Sequence, residues 1–160
     1  MIDVSITLDD ILLAKKKANE TGKLKNSIYS GAGNIHGFLG EIVVANYINA
    51  TIENTYDYDL IKNGIRIDVK TKSCKFKPNP DYDCSVYKLS AKQKCDYYVF
   101  VRILDDFSQG WILGGIRKTI FFKKAIFYKK GNIDPKSNFG WTFPADCYNL
   151  SISSLLKIVT

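Results

Sequence analysis

Residues 56–72 read YDYDLIKNGIRIDVKTK, and this stretch decides the fold. Asn63-Gly64 stands between two strand-like runs, which is the strongest short-range signal for a two-residue hairpin turn. We therefore predict strands over 56–62 and 65–72. A two-residue turn also fixes the register of the hairpin. The predicted facing pairs are Lys62 with Ile65, Leu60 with Ile67, Asp59 with Asp68, and Asp57 with Lys70.

Side chains alternate along a strand, so this register gives the hairpin one apolar face and one charged face. The charged face carries Asp57, Asp59, Arg66, Asp68, Lys70 and Lys72. Asp59 and Asp68 lie directly opposite each other there, and like charges in that position are destabilising. Two interpretations stay open: a solvated charged face, or a divalent cation held between the carboxylates. Oxygen ligands of this kind suit Mg²⁺ or Mn²⁺.

The segment 35–49, IHGFLGEIVVANYIN, has the composition of a buried helix because it is apolar around most of its circumference. Glu41 has only apolar or glycine neighbours at helical spacing. A buried carboxylate without a partner is costly, so Glu41 needs a metal ion or a lysine, unless it lies at the rim with its head in water. Gly37 and Gly40 leave room for close backbone approach.

The remaining pattern predicts one domain over residues 1–160. We expect a helix at 8–20, a glycine-rich connection at 21–37, a loop at 75–83, strands at 84–89, 96–104, 111–117 and 126–129, and a helix at 118–125. Helices followed mostly by strands indicate an α/β (α+β) domain with a mixed sheet.

Composition sets broad limits on the class of protein. The chain is 46% hydrophobic, enough for a real core, and carries a net charge of +7, which favours a polyanionic partner such as nucleic acid. Many lysine-rich surfaces bind nothing, so charge alone decides little. No apolar run is long enough to span a membrane and no signal peptide is evident, so we expect a cytoplasmic protein. The four cysteines lack zinc-site spacing and fit buried, reduced thiols.

The order of these residues resembles the PD-(D/E)xK nuclease superfamily, which has a restriction-endonuclease-like fold. The matching pieces are GFLGE ending at Glu41, YDYDL containing Asp59, and IDVKTK containing Asp68 and Lys70. The resemblance covers roughly residues 35–104. The sequence departs from the motif at Tyr58, which stands where the literal motif has proline.

The resemblance implies a Mg²⁺-dependent (or Mn²⁺-dependent) deoxyribonuclease, an endonuclease rather than an exonuclease, built on a mixed sheet flanked by helices. It implies that Asp59, Asp68 and the Val69 carbonyl bind the metal, with Glu41 bound directly or through water. Lys70 would orient the attacking water and stabilise charge on the phosphate. A non-catalytic nucleic-acid-binding domain with the same fold is the alternative. A third reading, a basic surface that meets an acidic partner, has only the charge to support it.

Residues around the motif are candidates for contact with DNA. Arg66 and Lys72 share the charged face, and the following loop interleaves basic Lys75 and Lys77 with aromatic side chains, which suits a nucleic-acid strand as well as an ordinary solvated loop. Gln93 stands where some family members have an auxiliary polar residue, and Asp57 faces Lys70 as a candidate positioning partner. The sequence leaves open a homodimer, the form of the substrate, and a role in restriction, repair, recombination or phage replication.

Overall fold

The computed structural model describes residues 1–21, 34–137 and 139–158, and within them the chain forms a mixed α/β domain. The strands are β1 (Ile2–Val4), β2 (Thr51–Ile52), β3 (Leu60–Lys62), β4 (Ile65–Cys74), β5 (Asp83–Tyr87), β6 (Tyr97–Leu104), β7 (Gly110–Arg117), β8 (Ile126–Tyr128) and β9 (Cys147–Ser151). The helices are α1 (Leu8–Thr21), α2 (Asn34–Ile48) and α3 (Lys118–Lys124), with short 3₁₀ turns at Lys88–Lys92 and Ile152–Ser154.

Two sheets make up the β structure. The larger has six strands in the order β1-β7-β6-β4-β3-β2, and the smaller has three in the order β5-β9-β8. β4 and β6 pair in parallel, while the other pairs are antiparallel. The predicted mixed sheet is therefore confirmed, as are both long helices. Strands β1, β2 and β9 were not predicted, because such short runs carry too little alternation to stand out.

The hairpin forms at Asn63-Gly64 with the predicted register. Lys62 pairs with Ile65 and Leu60 with Ile67, and both turn residues have positive φ, as a type I′ turn requires. The predicted strand over 56–59 is wrong, because β3 begins only at Leu60.

A local turn replaces that predicted strand segment. The Thr55 hydroxyl accepts hydrogen bonds from the backbone N–H groups of Asp57 and Tyr58 and donates to the Tyr58 carbonyl. Side chains of this type compete with ladder hydrogen bonds for the backbone. The ladder pairs Asp59 with Asp68 and Asp57 with Lys70 therefore do not form.

The six-stranded sheet is covered differently on its two faces. Helices α1 and α2 pack on one face, against side chains that include Val69, Val101 and Ile103. The opposite face carries Tyr98 and Phe100, and it is covered mainly by the smaller sheet, with Phe121 of α3 in the same cluster. The expectation of a sheet flanked by helices therefore holds fully for only one face. In the described ranges, no helix is both long and apolar enough to span a membrane.

The cysteines behave as expected. All four are free thiols, with Cys84, Cys95 and Cys147 buried and Cys74 half-buried. Burial raises the pKa of Cys95 and of Cys147 to about 11. These thiols are therefore core side chains rather than nucleophiles. Of the glycine-rich connection predicted at 21–37, residues 22–33 lie outside the described residues, and residues 34–37 belong to α2 instead.

Close packing of α2 on β4 depends on Gly40. A Cβ atom added at Gly40 would lie 1.9 Å from the Thr71 Oγ1 and 3.0 Å from the Thr71 Cβ, whereas one added at Gly37 would meet nothing within 4 Å. Of the two glycines that the sequence offered for close approach, only Gly40 is used. Glu41 follows it directly, so this contact also sets how near the carboxylate lies to β4.

We expect Gly40→Ala to destabilise the protein by about 1–3 kcal/mol, because α2 must move away from β4 to relieve the overlap. The matched control is Gly37→Ala, which should stabilise by roughly 0.5–1 kcal/mol through helix propensity. Urea unfolding of both variants measures the difference. Adding Thr71→Ala should recover part of the Gly40→Ala loss, and equal effects of the two glycine substitutions would contradict the packing described.

Candidate active site

The Asp59 carboxylate ends the β3–β4 ladder. The backbone N–H of Val69 donates to Asp59 Oδ2 at 2.7 Å, and the backbone N–H of Asp59 donates to the Ile67 carbonyl at 3.0 Å. β3 pairs only with residues 65–67 of β4, so the edge of β4 beyond Ile67 has no partner strand in the part of the chain described. The N–H and C=O of a strand residue point to the same side, so the Val69 carbonyl faces this open edge too.

Asp68 and Lys70 lie side by side on the face of β4 turned towards the smaller sheet. Asp68 is 1% exposed, and Lys70 Nζ lies 2.7 Å from Asp68 Oδ2. That contact is an ion pair whose angles fall outside those of a hydrogen bond, and Asp68 Oδ2 has no hydrogen-bond partner among the described residues. A buried carboxylate oxygen left in this state is available to a further ligand.

Glu41 extends from α2 to the same edge of β4. It is 9% exposed, and its pKa is raised to about 7, chiefly by burial and then by the charge of Asp68, against the lowering effects of Lys17 and Lys70. In the amide orientation that satisfies both neighbours, the Asn54 side-chain nitrogen donates to Glu41 Oε2 at 2.7 Å. Its side-chain oxygen accepts from Lys17 Nζ at 2.9 Å. Glu41 is therefore buried, as its apolar helical neighbours predict, but polar groups of Asn54 and Lys17 lie near its carboxylate.

The three carboxylates act on one another electrostatically. Burial raises the pKa of Asp59 well above its ordinary value, and the charges of Asp68 and Glu41 raise it further. The Val69 hydrogen bond and Lys70 oppose that shift without cancelling it. The structure therefore brings the four motif residues together, and burial and mutual repulsion make the charged form of Asp59 costly.

Lys70 is held from its other side by Gln93. Lys70 Nζ donates to Gln93 Oε1 at 3.2 Å, and Gln93 Nε2 donates to the Tyr56 carbonyl at 2.9 Å. The predicted place of Gln93 beside the motif therefore agrees with the structure.

Asp57 requires a correction, because it is not paired with Lys70. Its carboxylate accepts from the backbone N–H of Lys94 at 3.0 Å, and the turn that holds it lies outside the ladder. Asp57 thus anchors the segment that carries Gln93, and it acts on Lys70 only through that segment.

Arg66 also lies elsewhere than expected. Its guanidinium forms a bidentate pair with Asp96, at 2.8 and 3.0 Å, and its backbone N–H donates to the same carboxylate. Arg66 therefore joins the start of β4 to the start of β6, and it is engaged rather than free for phosphate. Of the loop lysines, Lys75 is exposed and Lys77 lies 3.5 Å from Asp3. Lys72 lines a cavity farther along β4.

Sequence reasoning missed three residues that support the site: Lys17, Asn54 and Asp96. Asn54 has a φ of 50°, a conformation in which asparagine is enriched, but nothing in its local sequence indicated a contact with Glu41. Lys17 and Asp96 come from separate elements, so only the tertiary structure shows their contacts.

The donor chemistry of this site fits a hard divalent cation. Carboxylate oxygens from Glu41, Asp59 and Asp68 suit Mg²⁺, which needs only one or two protein carboxylates and keeps several waters. The mutual repulsion of these carboxylates, and an Asp68 Oδ2 whose one described contact is the Lys70 ammonium, both favour such a cation. In the chain as described, no three His, Cys, Asp or Glu side chains form a ready-made ligand cluster. Bound metal would therefore complete its shell with water and the Val69 carbonyl.

Comparison of the chain with models of known protein families gave no match, and comparison with curated proteins gave none either.

The Arg66–Asp96 pair predicts a pH-dependent contribution to stability. Hydrogen bonds from the Arg66 side chain and backbone lower the pKa of Asp96 to about 2, below its ordinary value of 3.8. The contribution is therefore complete above about pH 4 and is lost as the pH falls towards 2. Asp96→Asn should lower the thermal midpoint by a few degrees at pH 6, with the gap to wild type closing by pH 2. A gap independent of pH would contradict this assignment.

Proposed function

We propose that this chain is a metal-dependent nuclease that hydrolyses phosphodiester bonds in DNA. The observation that carries the proposal is the convergence of three carboxylates beside Lys70 at an open strand edge: those of the buried Glu41 and Asp68 and of the half-buried Asp59. The pKa values of Glu41 and Asp59 are raised, and clustered carboxyl groups with raised pKa values are typical of functional sites. The order of these residues along the chain also resembles that of the PD-(D/E)xK motif.

Lys70 is the group positioned to act on a phosphate. Its ammonium lies between Asp68 and Gln93, so it is fixed in direction while keeping a third proton to donate. It would hold a non-bridging phosphate oxygen, or the attacking water, and stabilise the negative charge that develops during hydrolysis. Gln93 keeps the lysine at that place because its own amide is bound to the Tyr56 carbonyl.

The carboxylates would hold the metal. Asp68 offers Oδ2, which forms an ion pair with Lys70 but no hydrogen bond. Asp59 offers its second oxygen, and Glu41 a direct or water-mediated ligand. Mg²⁺ or Mn²⁺, when bound there, supplies Lewis-acid charge stabilisation and lowers the pKa of water. DNA is the partner, and the cytoplasm, where thiols stay reduced, is the compartment that agrees with four free cysteines.

The alternative is a non-catalytic nucleic-acid-binding domain that keeps this arrangement. One observation favours it. The Val69 N–H donates a hydrogen bond to Asp59 Oδ2, and Lys70 forms an ion pair with Asp68, so protein groups already satisfy part of the carboxylate cluster. All four motif residues are nevertheless present and adjacent. A domain without catalysis has no need to keep three mutually repelling carboxylates together, so the nuclease is favoured.

Metal binding is the first test. Calorimetry should detect Mn²⁺ or Mg²⁺ binding to wild type, together with a rise in thermal midpoint that grows with metal concentration. Asp59→Asn and Asp68→Asn should each weaken the binding strongly. Asp59→Asn should also leave metal-free stability unchanged or higher, because it removes a buried like charge. Metal affinity that is unchanged in both variants would show that the metal binds at another site.

Lys70→Ala should lower the cleavage rate by about 10²-fold or more while keeping metal binding; because it removes the ion pair of the buried Asp68, its folding is checked with metal bound. The matched control is Lys124→Ala, an exposed lysine at the end of α3, which should keep wild-type rates. Rates are measured on linear, circular, branched and single-stranded DNA with Mg²⁺ or Mn²⁺. Wild-type cleavage by Lys70→Ala would refute the role of Lys70. Metal-dependent DNA binding without cleavage of any substrate would support the alternative.

A further inference from the structure

A cavity of about 290 Å³ lies farther along β4, on the same face as Asp68 and Lys70. Lys72 and Cys74 continue the alternation on that face, and both line the cavity. Lys72 follows Lys70 by two residues, which is roughly 7 Å along a strand. The cavity is therefore the immediate neighbour of the candidate active site, and its size is near the lower end for small-ligand pockets.

The base of the cavity holds a buried cation without an anionic partner. Arg102 is 8% exposed, and its one described hydrogen bond goes to the Asp83 carbonyl at 2.9 Å. The Asp83 carboxylate pairs instead with Lys136. Among the described residues no carboxylate neutralises the Arg102 guanidinium, although an unpaired buried charge is costly.

Lys72 adds a second cation directly beside the first. Lys72 and Arg102 are ladder partners on the parallel strands β4 and β6, and like charges on paired strands repel. The pKa of Lys72 is lowered by loss of hydration and by the neighbouring Arg102 charge, and the charge of Asp134, which also lines the cavity, opposes this shift without cancelling it. An anion bound between the two would relieve both costs, and a phosphate offers the oxygens that a guanidinium and an ammonium prefer.

The rest of the wall suits a nucleobase. Phe76, Tyr82 and Trp141 line the cavity and are 80%, 55% and 47% exposed, so their rings are open to a stacking partner. Asn149 also lines it, is 5% exposed, and has an Oδ1 without any described partner, which leaves an acceptor for a base N–H. Exposed aromatic side chains beside the exposed Lys72 and the buried Arg102 offer contacts to both the base and the phosphate of a nucleotide.

We propose that this cavity binds one unstacked nucleotide of the substrate strand, with its phosphate at Lys72 and Arg102 and its base among Phe76, Tyr82 and Trp141. The inference rests on the proposed nuclease function for the identity of the strand. A base inserted here cannot remain stacked in a duplex, so the substrate class is single-stranded DNA or a single-stranded end or flap. The cavity would hold the nucleotide next to the bond that Lys70 addresses.

Binding is measured apart from cleavage, on the full chain carrying Asp68→Asn and without divalent metal. Trp141 is exposed and Trp111 is buried, so quenching of tryptophan fluorescence reports occupancy of the cavity. The probes are an 8-nucleotide single strand, a blunt duplex of the same sequence, and a free deoxynucleoside monophosphate. The single strand should bind about tenfold or more tightly than the duplex and should quench the fluorescence. Equal affinity for strand and duplex, or binding without quenching, would refute the site.

Two substitutions test the two halves of the cavity. Arg102→Met keeps the shape, removes the buried charge, and should weaken strand binding about tenfold while lowering the salt slope by roughly 0.7. Phe76→Ser alters an exposed ring that cannot affect folding much, and it should weaken binding about five- to tenfold. Lys124→Met is the matched control and should change neither quantity. Unchanged strand affinity in Phe76→Ser and Arg102→Met would overturn the inference.

The outcomes separate this site from the proposed function. Strand binding that depends on Arg102, in a wild-type protein that cleaves nothing, would reject the nuclease and retain the nucleotide site. Cleavage that is unaffected by Arg102→Met and Phe76→Ser on every substrate would retain the nuclease and reject the site. Binding of the free monophosphate as tightly as the strand would identify a mononucleotide as the ligand and overturn the strand assignment.

Discussion

The hydrogen bond from the Val69 N–H to the Asp59 carboxylate is the interaction on which the site depends. By taking the donor that a longer β3 would have used, Asp59 ends the ladder and leaves the edge of β4 open. Glu41 can then reach that edge from α2, although the helix covers the opposite face of the sheet from Asp68. A complete hairpin would have closed this passage with backbone hydrogen bonds.

A single face of β4 carries two opposite electrostatic imbalances. Near its start, carboxylates outnumber the cations that could neutralise them. Near its end, Lys72 and Arg102 are neighbouring cations without an ion pair among the described residues, although Asp134 lines the same cavity. Neither arrangement helps the fold, because each concentrates like charge. Conflicts of this kind are expected where a protein binds something. Together they describe a strand suited to a metal at one end and a phosphate at the other.

Polar contacts outside the motif give the site its rigidity. The turn at Thr55 supplies the carbonyl and the carboxylate that hold Gln93 and Lys94, and Gln93 in turn holds Lys70. The lysine is therefore positioned by a segment far from it in sequence. Fixing a long side chain in advance reduces the entropy lost when it meets a phosphate.

The sequence by itself determined the elements whose signals are local. Asn63-Gly64 set the hairpin register, the apolar run at 35–49 set a buried helix, and the apolar surroundings of Glu41 showed that its carboxylate needs a partner. These predictions succeeded because turn geometry and side-chain periodicity depend on neighbouring residues only.

Only the tertiary structure decided which charged groups meet. Asp57 was expected at Lys70 and instead binds Lys94, while Arg66 was expected at phosphate and instead binds Asp96. Arg102, lying in an apolar run, gave no sign that it would stand beside Lys72 in a cavity. Pairings between distant residues depend on strand order and on where each ladder stops. A side-chain hydrogen bond such as that of Asp59 can change the strand pairing and the point where a ladder ends. A pattern of residue types does not predict such a hydrogen bond.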